Sequence, residues 1–215
     1  MTFSCCFNFS VRAQDQYDLG IRQNDEFVWE VKELNEYDFG KVFGAEPNFE
    51  LGDRIRIVIR QIAHPSLRWQ ITIDFWDYKE DWGQPGASDT IEVWENPIQY
   101  DDNIFIPVPV GPYLEEAEDT LPSEYYVEGN TIFMRGTSAS TGRDFLWEKI
   151  YNTNGVPQAE IYYSGHEANE QLMIVKVEST IPLIPVGFYF IGFILLSITA
   201  IIFIGLRRKK LRIIS

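Results

Sequence analysis

The chain is poor in cysteine, in histidine and, over most of its length, in basic residues. Its two cysteines, Cys5 and Cys6, are adjacent. Neighbouring thiols of that kind build neither a disulfide framework nor a four-ligand zinc site. The two histidines, His64 and His166, stand in a proline turn and after a glycine, and read as surface imidazoles. No nucleophile elbow, H-E-x-x-H pair or phosphate loop occurs. With 32 Asp+Glu against 18 Lys+Arg, the formal net charge is −14. That balance excludes an ordinary nucleic-acid binder, because phosphates require a basic face. No cofactor and no resident metal is expected.

What is present is concentrated at one end. No charged residue occurs between Ser179 and Leu206, and residues 186–206 are almost wholly apolar or small. About 20 such residues in a helix cross a hydrocarbon core of ~30 Å. The stretch from Val186 to Leu206 is therefore expected to be a transmembrane helix, with Tyr189 at its outer edge, where aromatic belts form. Arg207, Arg208, Lys209, Lys210 and Arg212 follow directly and are expected in the cytoplasm. Outside that tail, 13 basic residues face 32 acidic ones. The expected arrangement is an acidic domain outside, one span, and a short basic tail inside. A domain so placed needs an export signal. Residues 1–13 end in Val11-Arg12-Ala13, with small residues at the positions a signal peptidase reads, and are taken as a signal-peptide remnant. The mature chain would then start near Gln14, and Cys5, Cys6 and the Asn8-Phe9-Ser10 sequon would be lost.

Residues 14–178 read as strands. Phe27, Trp29 and Val31 alternate with Glu26, Glu30 and Lys32, Ile55, Ile57 and Ile59 alternate with Arg54, Arg56 and Arg60, and Trp69, Ile71, Ile73 and Phe75 alternate with Gln70, Thr72 and Asp74. Period-two alternation gives a sheet one buried and one wet face. His64-Pro65-Ser66, Gly129-Asn130 and Asn154-Gly155 separate strand pairs, and Asn154-Gly155 predicts a two-residue type I′ hairpin turn. One helix is expected, from Pro112 to Leu121, with Leu114, Ala117 and Leu121 on one face and Pro122 ending it. Residues 179–185 form a short proline-containing linker. The expected fold is mainly β. It is a curved antiparallel sheet, a half-barrel or a sandwich, with one short packed helix and a C-terminal transmembrane helix.

Several segments in this order resemble a group of single-span surface proteins of Asgard-type archaea. They are GDRIRIVIRQI (52–62), WQITIDFWDY (69–78), residues 103–132, WEKIYNTNGVPQAEIYYSG (147–165) and the span with its basic end. The resemblance implies an exported, membrane-anchored, mainly β domain on an archaeal cell. It implies no activity, since the group has none assigned. Pro185-Val186-Gly187-Phe188 resembles a Pro-Gly-Phe sorting signal and departs from it at Val186.

For binding, the densest stretch is 74–82. Asp74, Trp76 and Tyr78 are expected to point away from the core, with Trp82 following in a loop. These four are the candidate ligand-binding residues, suited to a protein partner or a glycan by charge and ring stacking. Ordinary packing of a β domain is the plainer account of the aromatics. Asp74, Asp77, Glu80 and Asp81 lack the spacing of a calcium loop, and a solvated strand end is the simpler reading. Three functions follow. The first is a non-catalytic surface binding domain. The second is a carrier with a lipid or other apolar ligand in the concave face of the sheet, which requires a dry apolar cavity of about 300 Å³ or more. The third is a hydrolase built on a pair of carboxylates, for which no site is legible.

Overall fold

A computed structural model describes residues 17–77, 85–102, 104–168 and 173–179. Nine strands form one antiparallel sheet: β1 (Glu26–Leu34), β2 (Arg54–Ala63), β3 (Arg68–Trp76), β4 (Ala87–Trp94), β5 (Tyr125–Glu128), β6 (Thr131–Thr137), β7 (Asp144–Tyr151), β8 (Pro157–Ser164) and β9 (Met173–Ser179). Their order is β4-β3-β2-β1-β9-β8-β7-β6-β5. Two meanders, β1 to β4 and β5 to β9, are thus joined where the first strand pairs with the last. The β1–β9 register sets Trp29 opposite Ser179 and Val31 opposite Val177. The mainly β expectation is met by one open sheet, not by a two-sheet sandwich.

The alternation read from sequence decides the faces. Phe27, Trp29, Ile57, Ile59, Ile71 and Ile73 are buried together with Ile21, Phe105 and Val156. On the same face of the other meander, Ile132, Trp147 and Tyr151 pack with Tyr17, Ile106 and helix residues. The chain from β4 to β5 crosses this face and covers it. A 3-10 turn at Pro97–Gln99 leads to a pair of bridging hydrogen bonds between Asp18 and Val108, and then to helix α2 (Val110–Glu118). Leu114 and Ala117 face inward as expected. The helix starts earlier than expected, so Pro112 is its third residue, where the missing N–H is still one of the four unpaired donors. It also stops at Glu118, four residues before Pro122. There the Glu118 Oε1 accepts the Val127 N–H at 2.9 Å and ties the helix end to the edge strand β5.

A second helix, α1 (Glu36–Phe43), corrects the expectation of a single one. Asn35 caps it by accepting the Asp38 N–H at 3.1 Å, Lys41 sits in its last turn, and Gly44 closes it at φ +75°. Those are ordinary start and stop signals. Gly40 in the middle lowers intrinsic helicity, and tertiary contacts supply the rest. Phe43 lies 5.4 Å from the Phe145 ring and 5.9 Å from that of Tyr162.

The hairpin turns differ in kind. Gly129 alone has positive φ in the two-residue β5–β6 turn, which is the type II′ pattern. The β7–β8 connection runs through five residues, 152–156, and is not a type I′ turn: Gly155 has φ +73° while Asn154 keeps a negative φ. The Gly155 N–H donates to the Asn152 carbonyl at 3.1 Å, and the Asn152 side chain accepts the N–H groups of Asn154 and Val156. This is a turn followed by a left-handed glycine, the next commonest hairpin closure. The expected pairing of the two strands is retained.

Among the described residues no helix is long and apolar enough to cross a membrane. The signal remnant at 1–13, the span from Val186 through Tyr189 to Leu206, and the tail with Arg207, Arg208, Lys209 and Lys210 lie outside the described residues.

Candidate functional site

Asp74 and Trp76 stand on the outer face of β1 to β4. That face is a ladder of internal pairs. Arg56 makes two hydrogen bonds of 2.9 Å to Glu26, and Glu30 accepts from Lys32 at 2.8 Å and Arg54 at 3.0 Å. Asp74 accepts from the Ser88 hydroxyl at 2.6 Å and pairs with Arg60, and its side chain is only 13% exposed. Trp76 points to this face as the alternation requires, but it is buried, 3% exposed, with the Arg56 guanidinium 4.5 Å from its ring. The expectation of an exposed indole at this position is therefore corrected. A cation with an apolar stem covers such a ring well. Tyr78 and Trp82 lie outside the described residues. Among those described, no group of three or more His, Cys, Asp or Glu is gathered closely enough to hold a metal ion.

These pairs set an acid response. The hydroxyl of Ser88, and then Arg60, hold the Asp74 carboxyl below its ordinary range; Lys32, and then Arg54, do the same for Glu30. A carboxyl whose folded-state pKa is depressed confers stability above its unfolded value, and loses it as pH falls through the folded one. The melting temperature is expected to fall once pH drops below about 4, and the drop should shrink in Asp74→Asn. Thermal melts across that range check both, and added salt should weaken the effect.

The inner face carries a cavity of about 260 Å³. It sits over the β1–β9 junction. One wall is Trp29 of β1, Ile55 and Ile57 of β2, and Phe75 of β3; the other is Lys149 of β7, Glu160 and Tyr162 of β8, and Val177 of β9. Phe49, Ile104 and Pro157 complete the lining. Strands β3 and β7 are five steps apart in the sheet. On a flat sheet they would be separated by about 24 Å, too far to share so small a cavity. The sheet therefore curls, and the cavity is in its concave face. The walls are mostly apolar. The Trp29 indole N–H is satisfied by the Pro157 carbonyl at 2.8 Å, which leaves its ring to the cavity.

Two charged groups stand in this wall, directly opposite each other in the β7–β8 register. Lys149 shares a face with Phe145, Trp147 and Tyr151. Its side chain is 8% exposed, and its ammonium donates to Asp102 Oδ1 at 2.9 Å, with the Trp147 ring 5.5 Å away. Glu160 Oε1 accepts from the Trp147 indole at 2.8 Å and from the Tyr162 hydroxyl at 3.1 Å. Behind Lys149 lies a layer of buried phenols. Burial pushes Tyr100, Tyr113 and Tyr151 far above the ordinary phenol range, and the Asp102 charge adds to this for Tyr100 and Tyr151. They are neutral donors and acceptors, not phenolates.

The histidines stand elsewhere. His64 stacks on Trp69 at 4.9 Å and contacts Glu95; His166 lies 3.6 Å from Asp144. Neither lines the cavity. A wider depression of about 700 Å³ beside α1 is shallow and lined by Glu36, Glu46 and Glu50 among others. Its open, acidic lining makes it a solvated hollow. Comparison of the chain with protein-family models, with curated proteins and with solved structures finds no match.

Proposed function

We propose that this chain is a non-catalytic, membrane-anchored binding protein of the cell surface, and that its binding site is the concave-face cavity. In this reading the acidic β domain stands outside, residues 186–206 cross the bilayer, and the basic tail is cytoplasmic. The resemblance to single-span archaeal surface proteins and the −19 balance outside the tail support that placement. The observation that carries the binding role is an apolar cavity in a curved sheet with two charged side chains set in its wall. A well-formed apolar pocket with a few convergent polar groups is the usual form of a small-molecule site.

The volume limits the occupant. At about 260 Å³ the cavity lies just under the usual range of ~300–1,000 Å³. A single ring or a short chain fits, and a whole lipid does not. This narrows the carrier reading to a small apolar ligand. A hydrolase of the two-carboxylate type would need a second carboxyl about 5–9 Å from the first. Among the described residues of the lining, Glu160 is the one carboxylate.

The test uses the full chain in uncharged detergent micelles and fluorine NMR of para-fluorophenethyl alcohol. Line broadening beyond that of empty micelles is expected, and Ile55→Trp should remove it by filling the cavity. Ile55 lies opposite Trp29, where a second indole makes a favourable cross-strand pair, so folding should survive. Broadening that persists unchanged in Ile55→Trp would move the site elsewhere.

A further inference from the structure

We infer that the cavity's ligand is a small amphipathic amine, whose ammonium group pairs with Glu160 while its apolar body fills the space against Trp29 and Phe75. The inference rests on the reading of the cavity as the binding site and adds the chemistry of the ligand's polar end.

Among the described residues, three charged groups meet at or beside this wall. Lys149 is matched already, because Asp102 Oδ1 lies 2.9 Å from its ammonium. Its charge is also spread over the faces of Trp147 and Tyr151, at 5.5 and 5.9 Å. An anionic ligand would have to displace Asp102 and would gain only what that carboxylate gave up. Glu160 is different. Both of its donors, the Trp147 indole and the Tyr162 hydroxyl, are neutral, and both act on Oε1. Oε2 has no partner among the described residues. With Lys149 and Asp102 cancelling, one negative charge is left on the cavity wall.

A carboxylate whose bonded oxygen has only neutral donors, set in a mostly apolar lining, favours a donor that brings positive charge. Such charge-assisted bonds are about twice as strong as neutral ones. The cavity also offers Trp29, Phe49, Phe75 and Tyr162. Their ring faces attract a cation and accommodate an apolar body alike. The same sign holds at long range, since the acidic domain raises the local concentration of cations around it. A neutral alcohol would satisfy the hydrogen bond but not the charge, and a carboxylate would be repelled.

Three probes of similar body and different head separate these cases: phenethylamine, phenethyl alcohol and hydrocinnamate. Equilibrium dialysis of the full chain in uncharged micelles, with empty micelles as the blank, measures each. The amine is expected to bind at least about tenfold more tightly than the alcohol, and hydrocinnamate most weakly. Glu160→Gln keeps an oxygen to accept from Trp147 and Tyr162. It should abolish the preference for the amine, bringing amine and alcohol to within about twofold of each other. Equal affinity for all three probes, lost in Ile55→Trp, would overturn the inference and leave the cavity as the site. Tightest binding of hydrocinnamate, or an amine preference that survives Glu160→Gln, would likewise overturn it. No binding of any probe at millimolar concentration would overturn this inference and the binding role together.

Discussion

Gly155→Val is expected to destabilise the domain by about 3–5 kcal/mol, a large share of the ~5–15 kcal/mol that holds a domain folded. Gly155 has φ +73°, and a Cβ built there would lie 1.9 Å from the Ile106 carbonyl oxygen and 3.0 Å from its carbon. The contact is backbone on backbone, so no rotamer change relieves it. It is also bonded, because the Ile106 N–H donates to the Gly155 carbonyl at 2.9 Å. Any valine at 155 must push away the crossing segment that covers the core. Left-handed strain accounts for about 1–2 kcal/mol, the lost hydrogen bond for about 1, and overpacking for the rest. Gly142→Val is the control. It has φ +69° with nothing within 4 Å, so it should cost only the backbone strain. Urea unfolding of both variants separates the terms. Equal costs at the two sites would mean that the close approach to Ile106 is not part of the fold.

Leu114→Ala should cost about 2–5 kcal/mol, the range for a leucine deleted from a closed core. Leu114 is fully buried, 0% exposed, on the face of α2 that meets Ile132, Trp147 and Tyr151. The hole is surrounded by rings already held by sheet pairing, so collapse around it is limited. The same variant should still bind a cavity probe while folded, because Leu114 is not in the cavity lining. A loss below about 1 kcal/mol in urea unfolding would mean that α2 is loosely seated.

The strands were legible because their residues alternate, and alternation survives translation into faces. The buried row from Trp69 to Ile73 is that pattern realised. Helix α2 was legible from Leu114 and Ala117, with its ends displaced by a few residues. Strand β4 was not seen as a strand. It is an edge strand with its first four residues exposed, so no apolar alternation marks it. Helix α1 carried readable caps at Asn35 and Gly44, and a closer reading of those would have found it. Asn154-Gly155 announced a turn but not its length, which is set by the bond from Gly155 to the segment 49 residues earlier that crosses at Ile106. Trp76 shows the limit of parity: it points away from the core and is still buried, with the Arg56 guanidinium 4.5 Å from its ring. Lys149 is the residue that reading missed. A cation in the same parity as Phe145, Trp147 and Tyr151 was a visible signal. Its meaning was not visible, since its partner Asp102 lies 47 residues away. The site depends on the curl of the sheet, which brings β3 and β7 to one cavity, and curvature leaves no mark at any single position.

The concave cavity is expected to hold a small molecule on the natural protein. Native mass spectrometry of the full chain, isolated from its source cells, measures this directly. The wild-type chain should carry an added small mass, and Ile55→Trp from the same cells should carry none. A bare wild-type chain, or an adduct unchanged in Ile55→Trp, would contradict the claim.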